Sequence, residues 1–196
     1  MKFARREVKE LFVAWVFISL AFAILFTGVF NLFDSYTIFV VSFIMSGLTV
    51  GIGFLLHEVM HKYVAQRYGL NAEFYAFYGM LWLALLFSLF GFILAAPGAV
   101  AIRGRITKER NGKISLAGPL TNVVLAIVFL IPFIFYKEGL LGLFLNYGFT
   151  INSLLALFNM IPFVPFDGGK IYGWNKIVWW ITTIFAGLLF FGSFLI

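Results

Sequence analysis

Residues 11–33 carry no charged side chain, and the same holds for residues 38–56, 114–136, 142–165 and 177–196. A helix needs about 20 predominantly apolar residues to cross ~30 Å of hydrocarbon, so each of these runs has roughly the length of a membrane span. No water-soluble fold accommodates so many. Composition agrees: 63% of the residues are hydrophobic and 11% charged, against about 45–50% and about 25% in soluble domains. The expected fold is an all-α polytopic membrane protein of about five transmembrane helices. It reads as one membrane-embedded unit over 1–196, with a core at 38–170, an N-terminal anchor span in 1–37 and a C-terminal span at 177–196.

A sixth oily stretch, 78–98, lies between two short extended pieces predicted as strands, 72–77 and 99–103. Asp34 and Ser35 are expected to turn the chain between the first two spans. The second span continues without a breaker to Gly69, a suitable helix C-cap, with Lys62 and Arg67 in its last turns. The apolar run at 11–33 is too long for a secretory h-region of ~7–15 residues, so it reads as a retained anchor.

The chain has no cysteine, which excludes disulfides, thiolate nucleophiles and Cys-ligated metal centres. Its net charge of +6 does not imply nucleic acid, because cationic loops on the cytoplasmic face of a membrane protein give the same total. Oligomeric state leaves no mark in the sequence.

Two histidines are present, His57 and His61. Four residues apart on a helix, their imidazoles project from one face, one turn apart. With Glu58 they form H-E-x-x-H, a spacing that lets two imidazoles hold Zn²⁺ while a carboxylate reaches water as general base. Ionisable groups within a span are costly and call for a function. A catalytic zinc needs a third protein ligand. Asp167 is the other carboxylate set among apolar residues, in the sequence NMIPFVPFDGG (159–169), where two prolines and two glycines interrupt the helix. A helix N-cap is the simpler reading for Asp167, and an interhelical hydrogen bond for Asn159. The cluster AGPLTN (117–122) opens the third span, 114–136, and Asn122 there fits a packing role as well as a catalytic one.

HEVMH, AGPLTN and NMIPFVPFDGG, in this order over roughly 38–170, resemble the site-2 protease family of intramembrane zinc metalloproteases. The resemblance implies that His57, His61 and Asp167 ligate one catalytic Zn²⁺, that Glu58 activates water, and that Asn159 holds substrate or the oxyanion. Asn122 matches the asparagine of the family's G-P-x-x-N element and is a second candidate for the oxyanion donor. Two departures stand out: Phe166 precedes the Asp where the family usually has Leu or Met, and 78–98 is an added oily segment. No PDZ-like or CBS-like accessory domain is recognisable, so the chain reads as a minimal form. The implied partners are a transmembrane protein or peptide substrate and the lipid bilayer.

If 78–98 crossed the membrane, the H-E-x-x-H end and the G-P-x-x-N start would lie at opposite faces, and one zinc site could not join them. A re-entrant or half-inserted segment instead places the N-terminus, Lys62, Arg67, the cationic stretch 103–113, Lys170 and Lys176 on one side, leaving Asp34, Lys137 and Glu138 on the other. The positive-inside tendency makes the first side cytoplasmic, with the active-site opening there. Rival readings are a prenyl-protein endopeptidase type of zinc hydrolase, whose third ligand is a glutamate, and a catalytically silent scaffold or transporter.

Overall fold

The computed structural model describes residues 1–28, 36–93 and 96–196. Its elements are α1 (Arg5–Thr27), α2 (Tyr36–Ser46), a π-helical turn (Gly47–Gly51), α3 (Ile52–Arg67), β1 (Asn71–Ala76), α4 (Tyr78–Leu89), β2 (Gly98–Arg103), α5 (Lys108–Phe135), α6 (Gly139–Asn159), α7 (Asp167–Trp174) and α8 (Lys176–Gly192). The end of the run at 11–33 and the turn expected at Asp34 and Ser35 lie outside the described residues, as do positions 94 and 95 of the oily segment.

Among the described residues, four helices are long and apolar enough to cross a membrane: Arg5–Thr27, the continuous stretch Tyr36–Arg67, Lys108–Phe135 and Gly139–Asn159. Two shorter apolar helices, α4 and α8, accompany them. This is an all-α polytopic architecture, and its membrane-facing side chains show why. Val124, Val128, Ile131 and Phe135 are exposed along one stripe of α5, and Ile177, Ile181, Ile184, Leu188 and Phe191 along one stripe of α8. Such stripes at helical spacing suit contact with lipid, not water.

Two expectations shift in detail. The last apolar run, 177–196, becomes a helix of 17 residues that ends at Gly192. The stretch 142–165 is helical only to Asn159, because Pro162 and Pro165 lack the N–H that would continue it. The segment at 78–98 forms a helix of 12 residues, about 18 Å long at 1.5 Å per residue and too short to cross hydrocarbon. It stops at Leu89, before Gly91 with its positive φ. Both predicted strands form, with bounds within one residue of those expected.

The contacts sort into two compact units. The first comprises Met1–Leu55 and Glu73–Ala101. Within it the Trp15 indole donates to the Gly47 carbonyl at 3.0 Å, in the π-helical turn, and Phe17 packs edge-on against Trp82 of α4. Glu7 and Glu10, at the start of α1, are buried. Glu7 Oε1 accepts the Phe74 N–H at 2.9 Å, and Glu10 Oε2 accepts the Ala76 N–H at 3.0 Å.

The second unit comprises Leu56–Ala72 and Ile102–Ile196. Its core joins Ala126 and Phe133 of α5 to Leu145 and Phe149 of α6. A second cluster joins Val123, Ala156 and Ala186, and a third Met160, Ile171 and Trp179. Gly69 (φ 73°) ends α3, and the Leu70 N–H returns to the Ala65 carbonyl at 3.1 Å, the 6→1 closure of a glycine-capped helix.

The two strands pair as one sheet. Phe77 N–H, just past β1, donates to Pro97 C=O, just before β2, at 3.0 Å, which makes the pairing antiparallel. Residues alternate sides along a strand, so the groups of 72, 74 and 76 point away from β2. Side chains meet that outer edge: the two glutamates take the N–H groups of 74 and 76, and Lys62 Nζ donates to the Ala72 carbonyl at 2.9 Å. Lys62, which resembles a solvated helix-end cation in the sequence, is almost wholly buried.

Candidate metal centre

Both histidines sit on α3, and their rings lie 4.6 Å apart between centroids, nearly perpendicular. The one-turn spacing on a regular helix produces this arrangement without further help. The third group comes from a break. After Asn159 the chain leaves the helix, turns through residues 160–166, and restarts as α7 with Asp167 at its first position. Gly168 permits the tight return: a Cβ there would lie 2.2 Å from the Met160 carbonyl oxygen. Trp179 fastens the same turn by donating its indole N–H to that oxygen at 2.7 Å.

Asp167 Oδ2 lies 2.9 Å from His61 Nε2 and 3.3 Å from His57 Nε2. Tetrahedral zinc with bonds of about 2.0–2.1 Å holds neighbouring donors about 3.3 Å apart, so the three atoms stand near a ligand face. All three residues are buried, and their donor atoms lie within 4.8 Å of one another. Burial by itself would push the Asp167 carboxyl up; the charge of His61 and hydrogen bonds to both imidazoles hold it well below the usual carboxylate range. Its other oxygen, Oδ1, faces Lys170 Nζ at 3.4 Å.

Gly118 supplies a second test of fit. A Cβ built on it would lie 2.4 Å from His57 Nε2 and 2.5 Å from His61 Nε2. The missing side chain thus keeps open the space into which both ring nitrogens point. Two imidazoles, one carboxylate and a cleared space beside them suit Zn²⁺.

The far nitrogens of the rings are also engaged. His61 Nδ1 is 2.8 Å from the Ile114 carbonyl, and His57 Nδ1 is 2.6 Å from Asn122 Oδ1. Such partners would fix the tautomer and aim Nε2 at a bound metal ion. Of the residues singled out in the sequence, then, His57, His61, Asp167 and Asn122 meet at one place. Glu58 is buried beside them on α3. Asn159 is half-buried in the last turn of α6, where its amide donates to the Leu155 carbonyl at 2.9 Å. The Asn122 amide, considered above as an oxyanion donor, gives its N–H to Asn152 Oδ1 at 3.1 Å.

The sequence does not single out Asn152, and it presents Lys170 only as a loop cation, not as a neighbour of Asp167. An amide within an oily run was the available signal for Asn152, and for Lys170 its place one turn after Asp167.

A protein of Methanocaldococcus jannaschii named as a zinc metalloprotease is 44% identical over 186 residues, which cover 93% of this chain and 92% of that protein. The chain belongs to the site-2 protease family. A second protein of that archaeon, also named a zinc metalloprotease, is 35% identical over 118 residues, 60% of this chain but 30% of the relative. One named as a zinc metalloprotease in Bacillus subtilis is 27% identical over 147 residues, 63% of this chain and 65% of its own. No family model and no solved structure matches the chain. This site-2 protease is accordingly a zinc metalloprotease, with an integral membrane location.

Proposed function

We propose that this site-2 protease hydrolyses peptide bonds in or near transmembrane segments of membrane-anchored proteins, with His57, His61 and Asp167 holding the zinc ion. The observation that carries this reading is the convergence of the two Nε2 atoms and Asp167 Oδ2 within ligand distance, on a chain whose long helices are apolar enough to span a bilayer. Zinc bound there supplies Lewis acidity to a peptide carbonyl and to water.

Glu58 is the proton carrier: its carboxylate takes a proton from the attacking water and delivers it to the leaving amine. Asn159 retains a second amide N–H beyond the one given to Leu155, and this would meet the oxyanion. A helical substrate must unwind before its carbonyls are accessible, since they are engaged in i to i−4 bonds. The outer edge of β2, residues 98, 100 and 102 by register, suits an extended segment joining by strand addition.

The cationic stretch 103–113 supports a cytoplasmic N-terminus and site opening. Because the chain has no native cysteine, Arg105→Cys gives a clean accessibility probe. Labelling from the cytoplasmic side is expected; labelling only from the opposite side overturns this orientation.

The functional test is a transmembrane reporter reconstituted with wild type or Glu58→Gln in proteoliposomes. Cleavage by the wild type within or beside the apolar segment, lost in the variant with zinc retained, is the expected result. Equal processing by both proteins overturns the proposed chemistry.

A further inference from the structure

We propose that Asn152 is a positioning residue for His57: acting through Asn122, it fixes which nitrogen of that imidazole carries the proton. The inference deepens the zinc-site reading above and rests on it. It starts from a run of hydrogen bonds through the interior of the second unit. His57 Nδ1 lies 2.6 Å from Asn122 Oδ1. Asn122 Nδ2 donates to Asn152 Oδ1 at 3.1 Å, and Asn152 Nδ2 donates to the Gly148 carbonyl at 2.8 Å. Asn122 and Asn152 are both fully buried.

The direction of this run follows from its far end. A backbone carbonyl can only accept, so Asn152 must turn its NH₂ towards Gly148. Its carbonyl oxygen then faces Asn122, which must answer with its own NH₂. That leaves Asn122 Oδ1, an acceptor, against His57. The imidazole satisfies it only by carrying a proton on Nδ1, which leaves Nε2, 3.3 Å from Asp167 Oδ2, as the nitrogen whose lone pair a metal ion would take. Turning either amide over would set two acceptors, or two donors, face to face in a dry interior. The Gly148 carbonyl thus determines a protonation choice at His57 through two intervening amides.

Two features make the arrangement specific. Gly148 meets the ring of Phe129, which a Cβ would approach to 2.3 Å, so α5 and α6 close together where the amides pair. His61 reaches the same tautomer independently, through the Ile114 carbonyl, and so provides an internal reference.

The test uses the full chain with ¹⁵N in its histidine rings; two histidines give a simple spectrum, assigned with His61→Gln. In the metal-free wild type, both residues should report a proton on Nδ1. In Asn152→Leu, His57 should become a mixture of tautomers while His61 is unchanged. Zinc affinity, measured by competition with a chelating dye, should fall by about 10–100-fold. Asn152→Asp, whose neutral carboxyl can accept from Asn122 and donate to Gly148, should restore both readouts.

A role confined to helix packing predicts otherwise: lower thermal stability of Asn152→Leu with His57 tautomer and zinc affinity unchanged. That result overturns the proposal. If Asn152→Leu does not fold, the wild-type spectrum decides alone, since a His57 Nδ1 without a proton contradicts the inferred direction. Failure of the protease reading is seen separately, in Glu58→Gln that still cleaves while the His57 tautomer is as inferred.

Discussion

Gly118 and His57 occupy adjoining space that leaves no room for a methyl group: a Cβ on the glycine would stand 2.4 Å from the imidazole Nε2. Neither can yield easily, because α5 is tightly packed there and His57 is tied to Asn122. Gly118→Ala is therefore expected to displace the imidazoles and lower zinc affinity by at least about 10-fold, the range seen when ligand orientation is disturbed. Metal content after dialysis against a weak chelator measures the effect.

In the proposed zinc site Asp167 closes the ligand set from a separate element, so its loss should act on the metal before it acts on the fold. Asp167→Ala is expected to purify without zinc. Zinc at about 100 times its dissociation constant should stabilise the wild type by about 2.7 kcal/mol and Asp167→Ala not at all. Thermal unfolding in detergent, with and without added zinc, gives both values. Equal stabilisation of the two proteins would remove Asp167 from the site.

Asn159 stands in a different relation to the chemistry. If its amide meets the oxyanion, Asn159→Ala should lower turnover by about 100–1,000-fold with zinc content unchanged. Single-turnover cleavage of a reporter, together with metal analysis of the same sample, separates this outcome from damage to the metal centre.

The glutamates of α1 give a prediction about stability. Glu7→Ala leaves the buried Phe74 N–H without the acceptor now 2.9 Å away, at a cost of about 1–3 kcal/mol. Glu7→Gln keeps an oxygen for that N–H and should lose less. Amide exchange at Phe74 should quicken in the alanine variant, and unchanged exchange would mean that the strand edge is protected by something else.

Strand addition has its own check. Val100 is half-buried in β2, and by register its N–H points away from β1, a position where proline is tolerated on an edge strand. Val100→Pro should leave folding and zinc content intact while weakening cleavage of membrane-anchored reporters. Undiminished cleavage would argue against this edge as a docking place.

What the sequence disclosed, and what it withheld, follows from the range of the forces involved. His57 and His61 were legible because helical periodicity puts them together locally, and Asp167 because broken helices in apolar runs are rare. The strands stood out between oily segments. Lys62 was misleading, and Glu7 and Glu10 gave no sign of their part: a charged residue near a helix end resembles a solvated one, and only tertiary packing reveals that each satisfies a buried backbone group. Asn152 was hidden for a related reason, since an amide in a span announces some hydrogen bond but not its partner. The π-helical turn at Gly47–Gly51 leaves no periodic trace in five residues.

The treatment of β1 has a wider consequence. Bare strand edges invite stacking by stray chains, a standing hazard for any β-structure. Here carboxylates and an ammonium occupy one flank in place of a neighbouring strand. Growth of the sheet on that flank is thereby blocked, and the strand addition proposed above would have to match the backbone groups of β2 instead.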